Sequence, residues 1–304
     1  EETLRIYVDG PPADDRTKTI QDSFIKLAEL PTIASADDLK SHRKEVVSYL
    51  REKTFGAFPE KPCDLNVSID FKSLNNQEAG THHYSFTPEA GWRLKFDWHW
   101  RNDPDKPAPV VLMLKSPRVV NRWAASSFLN GVPSSWGRAF LETRGVGETS
   151  WGPEIQWHLR RAAAWTGRTI ASTRVYDVLR CLEAIRGLKG VDSDHVALAA
   201  DGEMAAVALY AALLDGNVKT VILGNPPATQ DAPSEEDGTG PAIEMLNCLR
   251  VTDLPQVAGM LWPSELVFVG DVPKTYIWAK DLYTHLGKPG NVTSVSGLRE
   301  WTER

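Results

Sequence analysis

The sequence is poor in cysteine. Its 304 residues include three, Cys63, Cys181 and Cys248. They are far apart and odd in number, which argues against a disulfide framework and against a zinc-ligand spacing. They read as small buried or surface thiols. No apolar run approaches the roughly 18 residues that a bilayer span needs; the longest, over 110–114 and 196–200, read as buried strands. No cluster of lysine and arginine stands out, and the formal net charge is −6, so neither a nucleic-acid groove nor a membrane anchor is expected. No internal repeat is visible. The chain opens on Glu1-Glu2-Thr3 without methionine or signal peptide. A processed, trimmed or partial form of a longer protein is therefore expected, secreted or periplasmic with its leader outside this chain. No cofactor and no metal are expected.

Apolar residues make up 42% and charged residues 24%, enough for a large core. Residues 3–8 alternate like a strand before Gly10-Pro11-Pro12. Residues 17–30 read as a short helix or an ordered linker. Ser35 is placed to cap a helix over 36–53, where Leu39, Val46, Val47 and Leu50 recur near helical spacing. Leu65, Val67, Ile69 and Phe71 alternate, 84–86 is a second strand candidate, and Trp92, Leu94, Phe96, Trp98 and Trp100 make one face of a third. His82-His83 falls in an expected loop. From residue 108 the texture changes to continuous apolar strands separated by helices. Strands are expected over 109–114, 138–143, 195–200, 218–223, 266–269 and 292–295. Helices are expected over 153–166, 170–186, 203–214, 242–249 and 272–286. Such alternation predicts an α/β fold: a mainly parallel central sheet with helices on both faces and an antiparallel N-terminal strand region. The domain reading is a linker and helical segment over 1–60 and a domain over 61–304, or one continuous domain. The stretch 226–240, rich in Pro, Gly and acidic residues, reads as an excursion over the strand ends, where ligands bind in such sheets.

Several segments resemble landmarks of the α/β-hydrolase superfamily. Val110–Leu114 with Lys115-Ser116-Pro117 resembles the strand whose following loop supplies an oxyanion-hole amide. Glu142-Thr143-Arg144-Gly145-Val146-Gly147-Glu148-Thr149 resembles the D-x-R-G-x-G-x-S loop of acetylxylan-esterase-like hydrolases. Residues 191–198, 205–214 and 215–219 are similar to the nucleophile strand, the helix behind it and the next turn. The order of these segments resembles large bacterial acetylxylan-esterase-like proteins, and Leu4-Arg5-Ile6-Tyr7-Val8 resembles the start of their second, C-terminal domain. The resemblance implies an α/β-hydrolase domain with an upstream hydrolase domain of the same polypeptide as partner.

The resemblance also implies a nucleophile elbow, G-x-Nuc-x-G, at Ala200-Asp201-Gly202-Glu203-Met204. Without gaps Gly202 stands at the nucleophile position; a one-residue shift puts Glu203 there. Neither carries a hydroxyl or thiol. The acid should follow 266–269, where Asp271 is close but could instead cap the next helix. The histidine should follow 292–295, where none occurs; His285 lies earlier. Without a base no serine is activated in this manner. Weaker candidates are Ser116, or Ser150 with His158 as base, and Glu203 with Glu148 or Asp201 as a carboxylate pair. Shared metal ligation by adjacent His82 and His83 is disfavoured, because neighbours on a strand point apart. Of the eleven tryptophans, Trp92, Trp98 and Trp100 are expected in the core, while Trp136, Trp151 and Trp157 flank loops where a sugar could stack. Arg144 is a substrate-binding candidate, with loop anchoring the alternative.

Three functions are compatible with these residues. The first is a catalytically degenerate carbohydrate-esterase-like domain with a structural or substrate-orienting role. The second is an active serine esterase with a displaced triad, and the third a carbohydrate-binding domain. Fold alone does not choose among them.

Overall fold

The computed structural model describes residues 7, 10–17, 19–76, 79–101, 106–118, 124–232 and 240–302. Among these residues nine strands form one sheet: β1 (Ser68–Asn76), β2 (Ala79–Phe86), β3 (Leu94–Arg101), β4 (Ala108–Leu114), β5 (Gly137–Glu142), β6 (Val191–Asp201), β7 (Thr220–Gly224), β8 (Glu265–Val269) and β9 (Val292–Val295). Their order across the sheet is β1-β2-β3-β5-β4-β6-β7-β8-β9. β1, β2 and β3 pair antiparallel, as do β3 and β5. From β5 to β9 all pairing is parallel. The chain places β5 on one side of β4 and β6 on the other, so the direction of winding reverses there.

The parallel strands are apolar on both faces because both faces are covered. Val110, Leu112, Leu114, Leu198, Ala200, Val221, Leu223, Leu266 and Phe268 join the larger core. It is packed by α1 (Ala36–Tyr49), α4 (Ile170–Arg186), α5 (Met204–Asp215), α6 (Leu254–Met260) and α7 (Ile277–His285). The alternate residues Val111, Met113, Ala197, Ala199, Ile222 and Val267 face a second cluster. That cluster lies under α2 (Ala124–Phe128) and α8 (Leu298–Thr302). α5 is apolar all round, and Met204 through Leu214 are buried, as a helix between sheet and outer helices must be. α3 (Pro153–Trp165) has no buried residue.

The antiparallel entry, the parallel body and most helices fall where the periodicity predicts them. Ser35 accepts from the Asp38 amide, and α1 runs on into a π-helical turn, Leu50–Thr54. Leu39, Val46, Leu50 and Phe55 share the larger core with the sheet, so the segment before residue 60 packs on the same body. Leu94, Phe96, Trp98 and Trp100 are buried, whereas Trp92 is exposed.

Three further expectations change. Residues 242–249 form no helix: the chain is irregular until a 3₁₀ turn, Cys248–Arg250. Asn247 stands there at φ 62°, outside the helical region, and the apolar residues Ala242, Ile243 and Met245 instead bury as a packed loop. The helix of this region is α6, started by a capping box in which Asp253 and Gln256 bond each other's backbone. His82-His83 lies in β2, not a loop, and residues 17–30 give only a 3₁₀ turn, Ile20–Ser23. The strand expected over 3–8 lies outside the described residues apart from Tyr7, as does 233–239 of the 226–240 excursion.

Two outcomes test this packing. Leu198 is fully buried at the middle of the sheet, so Leu198→Ala should cost about 2–5 kcal/mol in urea denaturation. Burial holds His42, His82 and His99 below the ordinary histidine value of 6.5. The fold therefore favours their neutral forms. Stability should be full above about pH 6.5 and decline as pH falls below it, because the unfolded chain then takes up protons that the folded imidazoles refuse. Denaturation midpoints at pH 8 and pH 5.5 check the sign; equal midpoints would contradict it.

Candidate ligand cleft at the elbow

A cleft of about 790 Å³ opens over the carboxyl ends of the parallel strands. Its walls come from the residue ending or following each of them: Lys115 and Ser116 after β4, Glu142 ending β5, Asp201 ending β6, Asn225 after β7, Val269 and Gly270 at β8, and Ser296 after β9. This is the end of the sheet, and the reversal point, at which open α/β sheets bind ligands. Met113, Ala125, Phe128 and Val146 supply apolar wall; Ser127 and Ser150 add hydroxyls. Both carboxylates are already hydrogen-bonded. The Lys115 ammonium donates to Glu142 at 2.9 Å, and the Asn225 amide donates to the Asp201 carboxylate at 3.0 Å.

β6 and α5 meet beneath this cleft in a sharp turn, Asp201-Gly202-Glu203. Gly202 takes φ 57°, a left-handed conformation that residues with a Cβ adopt at a cost. Its N–H donates to the carbonyl of Gly224 on β7 at 2.9 Å, and a Cβ added there would meet nothing within 4 Å. The turn therefore keeps the geometry, and the open space, of a position that presents a side chain.

Glu203 points elsewhere. One carboxylate oxygen accepts from the Arg174 guanidinium at 3.0 Å, the other from Arg118 Nε at 2.9 Å. The Glu203 and Arg174 side chains are 6% and 2% exposed. Arg174 sits on α4, and so does Asp177, one turn on. Asp177 is fully buried and receives both the backbone N–H and the guanidinium Nε of Arg144 at 2.9 Å. Arg144 also donates to Glu89 at 2.7 Å, as does Arg168. The hydrogen bond from Arg168, then those from Arg144, hold the Glu89 carboxyl below the usual glutamate value despite partial burial.

No protein-family model matches the chain, and no curated protein is similar to it in sequence. Solved structures are similar in fold. A Bacteroides fragilis protein assigned as an acetyl xylan esterase superposes with a TM-score of 0.70 at 13% identity, over 85% of this chain and 75% of its own. A glucuronoyl esterase from Solibacter usitatus gives 0.62 at 13% identity, over 86% and 87%. Acetyl xylan esterase 1 from a Thermoanaerobacterium species gives 0.52 at 14% identity, over 87% of each chain.

The chain has the α/β-hydrolase fold. β6 and the Gly202 turn form the segment that the sequence reading aligns with a nucleophile elbow, and the loops after β8 and β9 are those in which it looks for an acid and a histidine. After β8 the cleft is lined by Val269 and Gly270; Asp271 is exposed and lies outside the lining. After β9 it is lined by Ser296. None of the seven histidines lines it. His285 bonds the Ala34 carbonyl at 3.1 Å, and His158, on α3, packs against Trp157. Ser116 and Ser150 do line the cleft; the Ser116 hydroxyl accepts the Arg118 amide at 3.3 Å, closing a turn. Among the described residues no cluster of three or more His, Cys, Asp or Glu side chains could hold a metal ion.

The fold places the substrate-binding candidates outside the lining of this cleft. Arg144 is buried and committed to Asp177 and Glu89, with Trp92 over its guanidinium at 5.3 Å, so it anchors the loop after β5 and does not line the cleft. Trp136 precedes β5, roughly 20 Å along the strand from the cleft, and packs edge-on against Trp301 of α8. The Trp151 ring lies over Gly145, where an added Cβ would come within 2.2 Å of it. Trp157 is covered by the Arg161 guanidinium at 4.3 Å. The aromatic side chain that lines the cleft is Phe128, which no sequence motif marked.

Glu203 stabilises a buried cation, while Arg118 is half exposed. Glu203→Ala should therefore cost about 3–5 kcal/mol, leaving Arg174 buried without its partner. Arg118→Ala should cost less than about 1 kcal/mol. Urea denaturation of the two variants checks the order; equal losses would count against it.

Proposed function

We propose that this chain is a catalytically degenerate, carbohydrate-esterase-like hydrolase domain that binds or orients a substrate without cleaving it. One observation carries the reading: the cleft stands over an intact elbow, yet glycine occupies the nucleophile position and no histidine lines the cleft. Ester hydrolysis by this fold needs a nucleophile with a base in hydrogen-bond reach. Here Ser116 and Ser150 have no imidazole beside them in the cleft wall, and the two carboxylates, Asp201 and Glu142, are held by an amide and an ammonium.

The cleft is fitted for recognition. Its two carboxylates are each held by a hydrogen bond, from Lys115 and Asn225, its rim offers serine hydroxyls and the Asn225 amide, and part of its wall is apolar. Such a mixture suits an uncharged, hydroxyl-rich ligand, bound by exchange of hydrogen bonds and by packing of C–H faces. The names of the solved neighbours, acetyl xylan esterase and glucuronoyl esterase, agree with a carbohydrate as that ligand. The domain's role is then to hold substrate for an active hydrolase domain of the same polypeptide.

The purified chain should hydrolyse p-nitrophenyl acetate no faster than buffer, and a fluorophosphonate probe should leave no serine adduct by mass spectrometry. Hydrolysis abolished by Ser116→Ala or Ser150→Ala would establish a working esterase with a displaced triad instead.

A further inference from the structure

A second cavity, of about 450 Å³, lies on the antiparallel side of the sheet and is not part of the elbow. It is lined from β1 by Asp70 and Phe71, from β2 by His83, from β3 by Lys95 and Asp97, and from β5 by Phe140. Lys115 and Glu142 line this cavity and the elbow cleft alike. Their ion pair, at 2.9 Å, is thus a common wall between two lobes. Together the lobes draw residues from β1 to the loop after β9. That is eight interstrand spacings in the observed order, or about 40 Å at ~4.8 Å each. A small ester fits within one lobe; a ligand that fills both is an extended chain.

The second lobe has its own recognition chemistry. His83 Nδ1 lies 2.7 Å from Asp97 Oδ1, a cross-strand pair that fixes the ring. With that nitrogen donating to the carboxylate, Nε2 is left as an acceptor for a ligand hydroxyl. The Phe71 ring is 63% exposed and stands 5.7 Å from the imidazole. It forms an apolar platform beside hydrogen-bonding groups, the pairing that packs the C–H face of a pyranose while its hydroxyls are bonded at the edge. Lys95 is neutralised by Glu148 at 2.8 Å, and Lys115 lies 3.8 Å from Asp97 besides its bond to Glu142. The lobe offers no unpaired cation to attract an acidic unit.

We propose that this cavity is a second carbohydrate subsite, continuous with the elbow cleft across the Lys115–Glu142 wall. The protein thereby selects an oligosaccharide chain of several neutral units over a single sugar or a short acyl ester. This rests on the carbohydrate reading of the elbow cleft. It assigns His83, Asp97 and Phe71, which have no place in the hydrolase elbow, to chain binding.

Isothermal titration with xylo-, manno- and cello-oligosaccharides of two to six units tests it. In the matching series the hexamer should bind at least tenfold more tightly than the dimer. Phe71→Ala and Asp97→Asn should bring the hexamer down to the dimer's affinity and leave the dimer unchanged. Phe71 is exposed, so an unaltered denaturation midpoint identifies this as a binding effect. Asn225→Ala, in the first lobe, should weaken dimer and hexamer together. Affinity independent of chain length, or a hexamer indifferent to Phe71→Ala and Asp97→Asn, overturns the second subsite and leaves the cleft reading standing. No binding at any length in any series overturns both.

Discussion

The buried ion pairs on one face of α4 fix the upper surface of this domain. Arg174 and Asp177 are one turn apart on that helix, and each holds a partner from a different loop: Glu203 from the elbow and Arg144 from the loop after β5. Arg174 also donates to the Arg144 carbonyl at 3.2 Å, joining the two pairs. The four charges alternate, so each is compensated where water is excluded. Such a lattice adds little net stability against an apolar equivalent, because desolvation offsets most of the Coulombic gain, but it penalises every arrangement that leaves one member alone. Its effect is positional. Two walls of the cleft are set by a helix that does not itself line it.

That constraint holds the turn at Gly202 in place whichever residue stands at its apex. The sharp turn is held by the Gly202 N–H on the Gly224 carbonyl, by the fully buried α5 behind it, and by Glu203 clamped between Arg174 and Arg118. None of these contacts uses a nucleophile. With glycine at the apex the turn loses the strain that a side chain would bear at φ 57°. The cleft above keeps its volume, and its polar groups have satisfied one another: Lys115 with Glu142, Asn225 with Asp201.

The antiparallel extension has a different logic. β1 to β3 bury Phe86, Phe96, Trp98 and Trp100 on one face. On the other, His83, Asp97 and Phe71 are left beside a cavity. The adjacent histidines show the alternation directly. His82 packs among Tyr84, Trp98 and Trp100, with ring centroids near 6 Å, while His83 turns to Asp97 and the second lobe.

The local code of the chain was enough to specify its elements and their class. Period-two apolar runs marked β3, continuous ones β4 and β6, and Ser35 the start of α1, because side-chain periodicity and capping act over a few residues. The same code placed a sharp strand-to-helix turn at residues 200–204, since such a turn is read within five residues. It failed where burial depends on distant partners. Arg144 and Trp136 have the chemistry of a sugar site, but Asp177 and Trp301, far off in sequence, take them into structure. Residues 242–249 have the apolar spacing of a helix, but a left-handed Asn247 and burial against the core make them a loop. The pairings Lys115–Glu142, Asn225–Asp201 and Glu203–Arg174 join residues 24 to 29 positions apart. Only the folding of six strand ends onto one edge brings them together, and no local pattern in the sequence encodes that edge.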